Sequence, residues 1–327
     1  MEPVFCLEKN ISCVKTVYPL PFRVILYMVL GVMVIVTVCG NLLVTVSIIY
    51  FKQLHTPTNY LLVSLAVSDL FLGLLVMLPN MIQSVETCWY FGDILCKVYL
   101  SIGVMLCTAS IINLSLISID RYNVVIHPLR YRRKMSGNVI LLMISFSWGV
   151  SGVVGFGMIF FRLNILGIED FYNSVACEGR CIFLQSGMSS TVSSVLSFYI
   201  PGIIMISLYL KIFIVAKRQF LSIQNTTCMA SARDSNKKQT KATKTLVVIM
   251  GAFLLCWAPF FVCNIIHPFI SYSTPAALFE TFLWAGYINS TLNPIIYAFF
   301  YTWFRKAFRL FVSGKIFKDD MSNITLF

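Results

Sequence analysis

Apolar residues run along this chain in seven long stretches separated by short polar intervals. They extend approximately from Val24 to Tyr50, Asn59 to Val85, Ile94 to Ile126, Val139 to Phe161, Ser186 to Ala216, Thr245 to His267, and Ala277 to Tyr301. Each exceeds the roughly 20 residues that an α-helix needs to cross the hydrocarbon core of a bilayer. The alternating segments of about ten residues that mark a membrane β-barrel are absent. The pattern predicts an all-α membrane protein, a seven-transmembrane helix bundle. Residues 1–23 precede the bundle, 24–301 form it, and 302–327 follow it. In that tail, Trp303 to Phe311 alternates aromatic and basic residues at helical spacing, which predicts a short amphipathic helix on the membrane surface. Residues 217–244, rich in Lys, Ser and Thr, read as a mobile connector and not a domain.

Composition agrees. Of 327 residues, 58% are hydrophobic and 12% charged, with a mean hydropathy of +0.83. A soluble domain carries about twice that charged fraction, so soluble, disordered and fibrous classes are excluded. The first 20 residues are mixed polar, so the first span is expected to act as the insertion signal.

Charge sets the expected orientation. With the N-terminus outside, 19 of the 25 Lys and Arg fall on the cytoplasmic side, as the positive-inside rule requires. The net charge of +12 then reflects topology and contact with anionic membrane lipid, and nucleic acid is not an expected partner. Six of 11 Cys, namely Cys6, Cys13, Cys88, Cys96, Cys177 and Cys181, fall in outer segments. An even number in the oxidising compartment suits three disulfides, with 15 pairings open on sequence alone. Asn10-Ile11-Ser12 is a glycosylation acceptor on that side.

Ionisable residues inside a bilayer are costly and invite a functional reading. Asp69 is the one carboxylate deep in a span, and Asn41, Ser110, Asn289, Ser290 and Asn293 offer neutral oxygens near it. A lone acid with such neighbours suits a small cation, Na⁺ being most abundant outside; the bland alternative is a polar cluster joining helices. At the inner end of span 3, Asp120-Arg121-Tyr122 places an acid beside a guanidinium, able to neutralise each other at rest. Pro201, Pro259 and Pro294 each interrupt a span and can hinge it.

These residues amount to a family signature. Gly40-Asn41, Leu65-Ala66-Val67-Ser68-Asp69, Asp120-Arg121-Tyr122, Cys256-Trp257-Ala258-Pro259 and Asn293-Pro294-Ile295-Ile296-Tyr297 resemble the motifs of a class A, rhodopsin-like G-protein-coupled receptor. The resemblance covers essentially the whole chain. It is closer still to the trace amine-associated receptors, through Asn289 to Tyr297, Phe51 to Asn59, and Ser84 to Gly92. Asn10 to Lys15 is most like the founding member.

The resemblance implies a disulfide between Cys96 and Cys181, and an N-terminal bridge from Cys6 or Cys13 to Cys177, with Cys88 taking the remaining one. It implies a Na⁺ site at Asp69 with Asn41, Ser110, Asn289 and Asn293, and no required cofactor. Pro201, Ile111 and Phe253 are the expected relay beneath a ligand, and Tyr209 and Tyr297 are expected to swing toward Arg121. The implied pocket comprises Val104 and Cys107 in span 3, Ser193, Ser194 and Ser197 in span 5, Trp257, Phe260, Phe261 and Asn264 in span 6, and Trp284 and Tyr287 in span 7. Ser193 and Ser197, four residues apart, share a helical face and could bond a ligand hydroxyl. A small extracellular ligand, an amine or odorant, a stimulatory heterotrimeric G-protein with a rise in cyclic AMP, and a plasma-membrane location follow from the same family.

One position departs from the family. Its amine receptors carry an Asp seven residues after the span-3 cysteine, where it pairs with the ligand ammonium; counted from Cys96, this chain has Gly103. An unpaired ammonium is expensive to bury in an apolar pocket. Glu280, two turns from Tyr287 on the same face, is the best alternative anchor, with Glu178 second. A receptor for a non-amine ligand, or one with ligand-independent activity, is the alternative. A transporter is disfavoured by the absence of internal repeats, a retinal pigment by the absence of Lys in residues 277–301, and an enzyme by the absence of a metal or nucleophile constellation.

Overall fold

The computed structural model describes residues 4–7, 12–127, 131, 135–224 and 230–314. Among these there is no strand, only two isolated bridges, Phe5 with Val14 and Ser12 with Glu178. The seven expected stretches form helices. We denote them α1 (Leu20–Tyr50), α2 (Pro57–Glu86), α3 (Gly92–Ile126), α4 (Gly137–Phe160), α5 (Gly187–Ser194, continuing to Ile200–Gln224), α6 (Ala230–Phe269) and α7 (Ala276–Phe300). A short helix, α8 (Thr302–Val312), follows α7.

Six of these, α1 to α6, are long and apolar enough to cross a membrane. α7 has the length, at 25 residues, but its middle carries Asn289, Ser290, Thr291 and Asn293, all buried inside the bundle. A helix whose polar stripe faces other helices scores low on hydropathy without presenting polar groups to lipid.

Local chemistry sets several helix ends. The Thr56 hydroxyl accepts from the Asn59 amide ahead of Pro57, and Ser186 accepts from the Ser189 amide to start α5. Two spans are not regular. α2 contains a π-helical segment at Leu72–Met77, and α5 one at Val195–Tyr199. The connector expected over 217–244 is corrected in part: α5 runs on to Gln224 and α6 begins at Ala230. Ala, Lys, Arg and Gln are good helix formers, so the spans continue as helices past their apolar stretches. α1 likewise begins at Leu20, just after Pro19, four residues before the apolar run.

Helices α3 and α4 pack very closely. A Cβ built on Gly155 would lie 2.5 Å from the Ser101 carbonyl oxygen, so only glycine permits this approach. α8 shows the expected amphipathicity: Trp303, Phe304 and Ala307 are buried, while Lys306 and Arg309 are exposed. Arg305 turns back and donates from Nη1 to the carbonyls of Ala298 (3.0 Å) and Phe299 (2.8 Å), satisfying the last turn of α7.

Three disulfides gather at the opposite end. Cys96–Cys181 ties α3 to the segment between α4 and α5; Cys13–Cys177 and Cys6–Cys88 strap the N-terminal segment across that segment and the end of α2. The strap is reinforced electrostatically. Glu86 receives Arg23, Lys15 (3.1 Å) and the Tyr27 hydroxyl (3.0 Å). Burial acts to lower the Lys15 ammonium, but its bonds to Tyr90 and Glu86 outweigh that and raise it. Asn10, the glycosylation acceptor, lies outside the described residues.

Candidate functional site

Three features stack along the bundle axis: a cavity near the disulfide end, a buried polar cluster at mid-depth, and a second cluster at the basic end.

The cavity has a volume of about 130 Å³ and is walled by α3, α5, α6 and α7, with Phe183 and Gln185 entering from the segment that Cys181 anchors. Of the expected pocket residues, Gly103, Val104, Cys107, Ser193, Ser197, Trp257, Phe260, Phe261, Asn264 and Tyr287 line it. Three do not. Ser194 lies behind the wall, where its hydroxyl meets Asn264 Nδ2 at 3.2 Å. Trp284 donates from Nε1 to Ser84 Oγ at 3.1 Å, on α2. Glu280, half-buried, faces the same Ser84 hydroxyl. On α7 the stripe Phe279, Leu283, Tyr287 forms the wall, and the adjacent stripe Glu280, Trp284 turns toward α2. Glu178 is exposed within the strap, its carbonyl oxygen accepting the Cys13 amide at 2.9 Å.

Gln185 and Phe183 escape a reading of helical stripes because they belong to a loop, and only the Cys96–Cys181 bond brings that loop over the bundle. Gln185 makes the polar end of the cavity. Its Oε1 accepts from Asn264 Nδ2 at 2.9 Å, its Nε2 donates to Ser193 Oγ at 3.1 Å, and its backbone oxygen accepts from the Tyr272 hydroxyl at 3.0 Å.

The floor is aromatic and continuous with the bundle core. Trp257 packs on Phe261 (centroids 5.6 Å) and edge-on to Tyr287 (6.3 Å). Phe198 stacks on Phe261 at 4.8 Å and reaches Phe253 at 5.7 Å. A Cβ on Gly286 would meet the Trp257 ring at 2.6 Å, so this glycine lets the indole lie flat against α7. Ile111, on the cavity floor, is buried with Phe253 in the same core, and Pro201 follows the π-helical turn of α5.

At mid-depth, Asp69 is fully buried. Its Oδ1 accepts from Ser110 (3.0 Å) and Ser290 (2.8 Å), and its Oδ2 from Asn293 Nδ2 (2.7 Å). Asn41 Nδ2 donates to the carbonyls of Thr37 (2.8 Å) and Ser290 (3.1 Å). The side-chain oxygens of Asn41, Asn289 and Asn293 are buried here without a hydrogen-bond partner. Buried carbonyl oxygens are normally satisfied, so those of Asn293, bonded to the carboxylate, and Asn41, bonded to Ser290, could hold a hard monovalent cation with Asp69. Ser290, one of the neutral neighbours expected from the sequence, bonds the carboxylate directly, and Thr37 and Thr291 (2.7 Å apart) flank the cluster.

At the basic end, Asp120 is held by Thr58 Oγ1 (2.5 Å) and the Tyr131 hydroxyl (2.8 Å), and lies 3.8 Å from Arg121 Nε. Burial, with the Asp120 charge adding to it, pushes the Tyr131 hydroxyl up to about 12, so it stays a donor to the carboxylate. Arg121 Nε is buried without a hydrogen bond, as are the hydroxyls of Tyr209 and Tyr297. These tyrosines line a void of about 10 Å³ with Ser118, Leu62 and Ile249. Tyr297 rests on Tyr301 and Phe304, and Tyr122 on His127. The end is closed.

The comparisons with known proteins agree in kind. Residues 40–297 match the family model for the 7 transmembrane receptor (rhodopsin family). The chain is 47% identical over 325 residues to trace amine-associated receptor 1 of Homo sapiens, covering 97% of this chain and 96% of that one. It is 41% identical over 332 residues to trace amine-associated receptor 4 of Mus musculus (99% and 96%), and 40% identical over 327 residues to trace amine-associated receptor 13c of Danio rerio (99% and 96%).

Proposed function

We propose, for a chain that belongs to the rhodopsin family of seven-transmembrane receptors and within it to the trace amine-associated receptors, that it senses a small molecule outside the cell and activates a stimulatory G-protein inside, raising cyclic AMP. It is a receptor and not an enzyme. Its N-terminus and disulfides face outward and its basic end inward, at the plasma membrane; the Lys and Arg distribution and the three disulfides support this orientation.

The observation that carries the reading is the unbroken aromatic path from cavity to core. A ligand touching Trp257 and Phe261 presses through Phe198 onto Phe253, against Ile111. Pro259 sits between those rings and removes a backbone hydrogen bond of α6, so the helix can pivot there. Movement of the basic end of α6 opens the packing around Tyr209 and Tyr297. Arg121, held only at 3.8 Å by Asp120, then turns toward the G-protein with those hydroxyls as partners. At mid-depth, Asp69 with the oxygens of Asn41, Ser110, Asn289 and Asn293 would hold Na⁺, whose charge would balance the Asp69 carboxylate; Ser110, Ser290 and Asn293 orient the two carboxylate oxygens and so join α2 to α3 and α7.

The test is Arg121→Ala in cells expressing the full chain, read by cyclic AMP beside surface labelling. The expected outcome is loss of both basal and ligand-driven signal with the receptor still at the surface. Normal cyclic AMP from that variant overturns the reading.

A further inference from the structure

No side chain lining the cavity carries a formal charge at neutral pH; its weak acids are the hydroxyls of Tyr99 and Tyr287 and the thiol of Cys107. None of its lining residues is Asp, Glu, Lys, Arg or His. The two carboxylates closest in sequence to its walls do not line it: Glu280 faces Ser84 on α2, behind Tyr99 on which its charge acts, and Asp69 is enclosed by Ser110, Ser290 and Asn293. What the cavity does contain is one connected corner of carboxamides, Gln185 and Asn264 with Ser193, on a mostly apolar and aromatic surface whose other polar groups are the separate hydroxyls of Thr108, Ser197, Tyr99 and Tyr287.

We propose that this cavity selects an uncharged, single-ring aromatic ligand whose one polar group is read by the Gln185–Asn264 carboxamide pair. The inference rests on the receptor reading above and sharpens its ligand class. Size argues for one ring: about 130 Å³ is close to the roughly 150 Å³ of an apolar cavity that accepts benzene. Charge argues for neutrality. The effective penalty for burying an ion is several kcal/mol, and a desolvated cation–π contact returns only about 2 kcal/mol. No wall carboxylate makes up the difference.

The polar corner is built to hold its shape. Gln185 is fastened four residues after Cys181, its backbone oxygen is tied to Tyr272, the Leu184 oxygen to Asn164 Nδ2 at 2.9 Å, and the Ser186 amide to the Asn164 oxygen at 2.7 Å. Its Nε2 meets Ser193 Oγ (3.1 Å), Ser189 Oγ (3.4 Å) and Met158 Sδ (3.5 Å), and a ligand carbonyl or ether takes the place of the longer of these contacts. Among the described residues no donor reaches Asn264 Oδ1, which can accept from a ligand hydroxyl. A corner of neutral dipoles fixed in advance rewards a hydrogen-bonding group, and an analogue lacking that group leaves those dipoles unpaired.

The experiment uses four probes on one skeleton: acetophenone, 1-phenylethanol, ethylbenzene and 1-phenylethylamine. Each is titrated against the purified full-length receptor in lipid nanodiscs, with the shift in melting temperature giving apparent affinity. The ketone and alcohol are expected to bind best, the hydrocarbon about tenfold more weakly and the ammonium weakest. In Gln185→Leu the ketone-to-hydrocarbon ratio is expected to collapse toward one, a change that a merely structural role for Gln185 does not produce; Asn264→Leu serves the same purpose if the first variant does not fold. The proposal is overturned if the ammonium is the strongest of the four on the wild type, if none of the three uncharged probes shifts the melting temperature, or if the ratio survives in the folded variants. Because binding is read without signalling, this failure is separable from failure of the receptor reading, which Arg121→Ala reports through cyclic AMP alone.

Discussion

Gly103 and Ser110 lie on one face of α3, seven residues and about 10 Å apart along the axis, yet their surroundings differ in kind. The upper position opens on a cavity without a carboxylate; the lower faces Asp69, with its ring of donors and unpartnered amide oxygens. The carboxylate stands where its partners are other helices of the same chain, and none lines the cavity above it. The internal charge is integral to the bundle, because α3 and α7 both donate to one carboxylate on α2, whereas the upper site is a lining that can change without disturbing the frame.

The largest expected effect comes from making the two sites alike. A Cβ at Gly103 meets only Val76 Cγ1, at 3.6 Å, so a side chain is sterically admitted. Gly103→Asp is expected to raise affinity for 1-phenylethylamine by about a hundredfold, or ~3 kcal/mol, as a close buried ion pair does, while weakening acetophenone. An unchanged amine affinity in a folded variant breaks the comparison. Removing the lower charge has a smaller effect. Asp69→Asn is expected to abolish the difference in melting temperature between Na⁺ and choline buffers of equal ionic strength, which corresponds to about 1 kcal/mol with Na⁺ at about five times its Kd. A Na⁺ effect that persists shows that the ion acts elsewhere. Glu280→Gln is expected to change the affinity of any of the four probes by no more than about twofold, within the ±0.5 kcal/mol of substitutions outside a contact site. A selective loss of the amine there makes Glu280 the anchor and removes the contrast between the two levels.

The frame was legible in the sequence because the bilayer imposes a single requirement, about 20 apolar residues with all backbone groups paired internally; six helices meet it outright, and α7 has the length with its polar stripe turned into the bundle. Asp69 and its neighbours were legible for the complementary reason: a lone acid in such a stretch stands out. The cavity was legible only in part. The two π-helical segments, Leu72–Met77 and Val195–Tyr199, leave no mark in the sequence, yet they break the 3.6-residue count on which a face assignment such as Ser193 with Ser197 depends. Both serines do reach the cavity, while their neighbour Ser194 goes to Asn264 behind its wall. Glu280 shows the reverse error: seven residues from Tyr287 is the same face of an isolated helix, but the bundle presents the Phe279–Leu283 stripe to the cavity at that height. Gln185 was invisible because a loop's path is decided by the disulfide that captures it, and 15 pairings were open.

The strap across the disulfide end bears on the order of events during synthesis. Cys13 pairs with Cys177, 164 residues later, and Cys6 with Cys88, 82 residues later. At about 5–20 residues per second, Cys13 emerges roughly 8–33 seconds before its partner exists. Cys88, the partner of Cys6, is made about halfway through that interval; until then Cys6 and Cys13, seven residues apart, are each other's nearest thiols in sequence, so the native strap requires that any bond between them be exchanged.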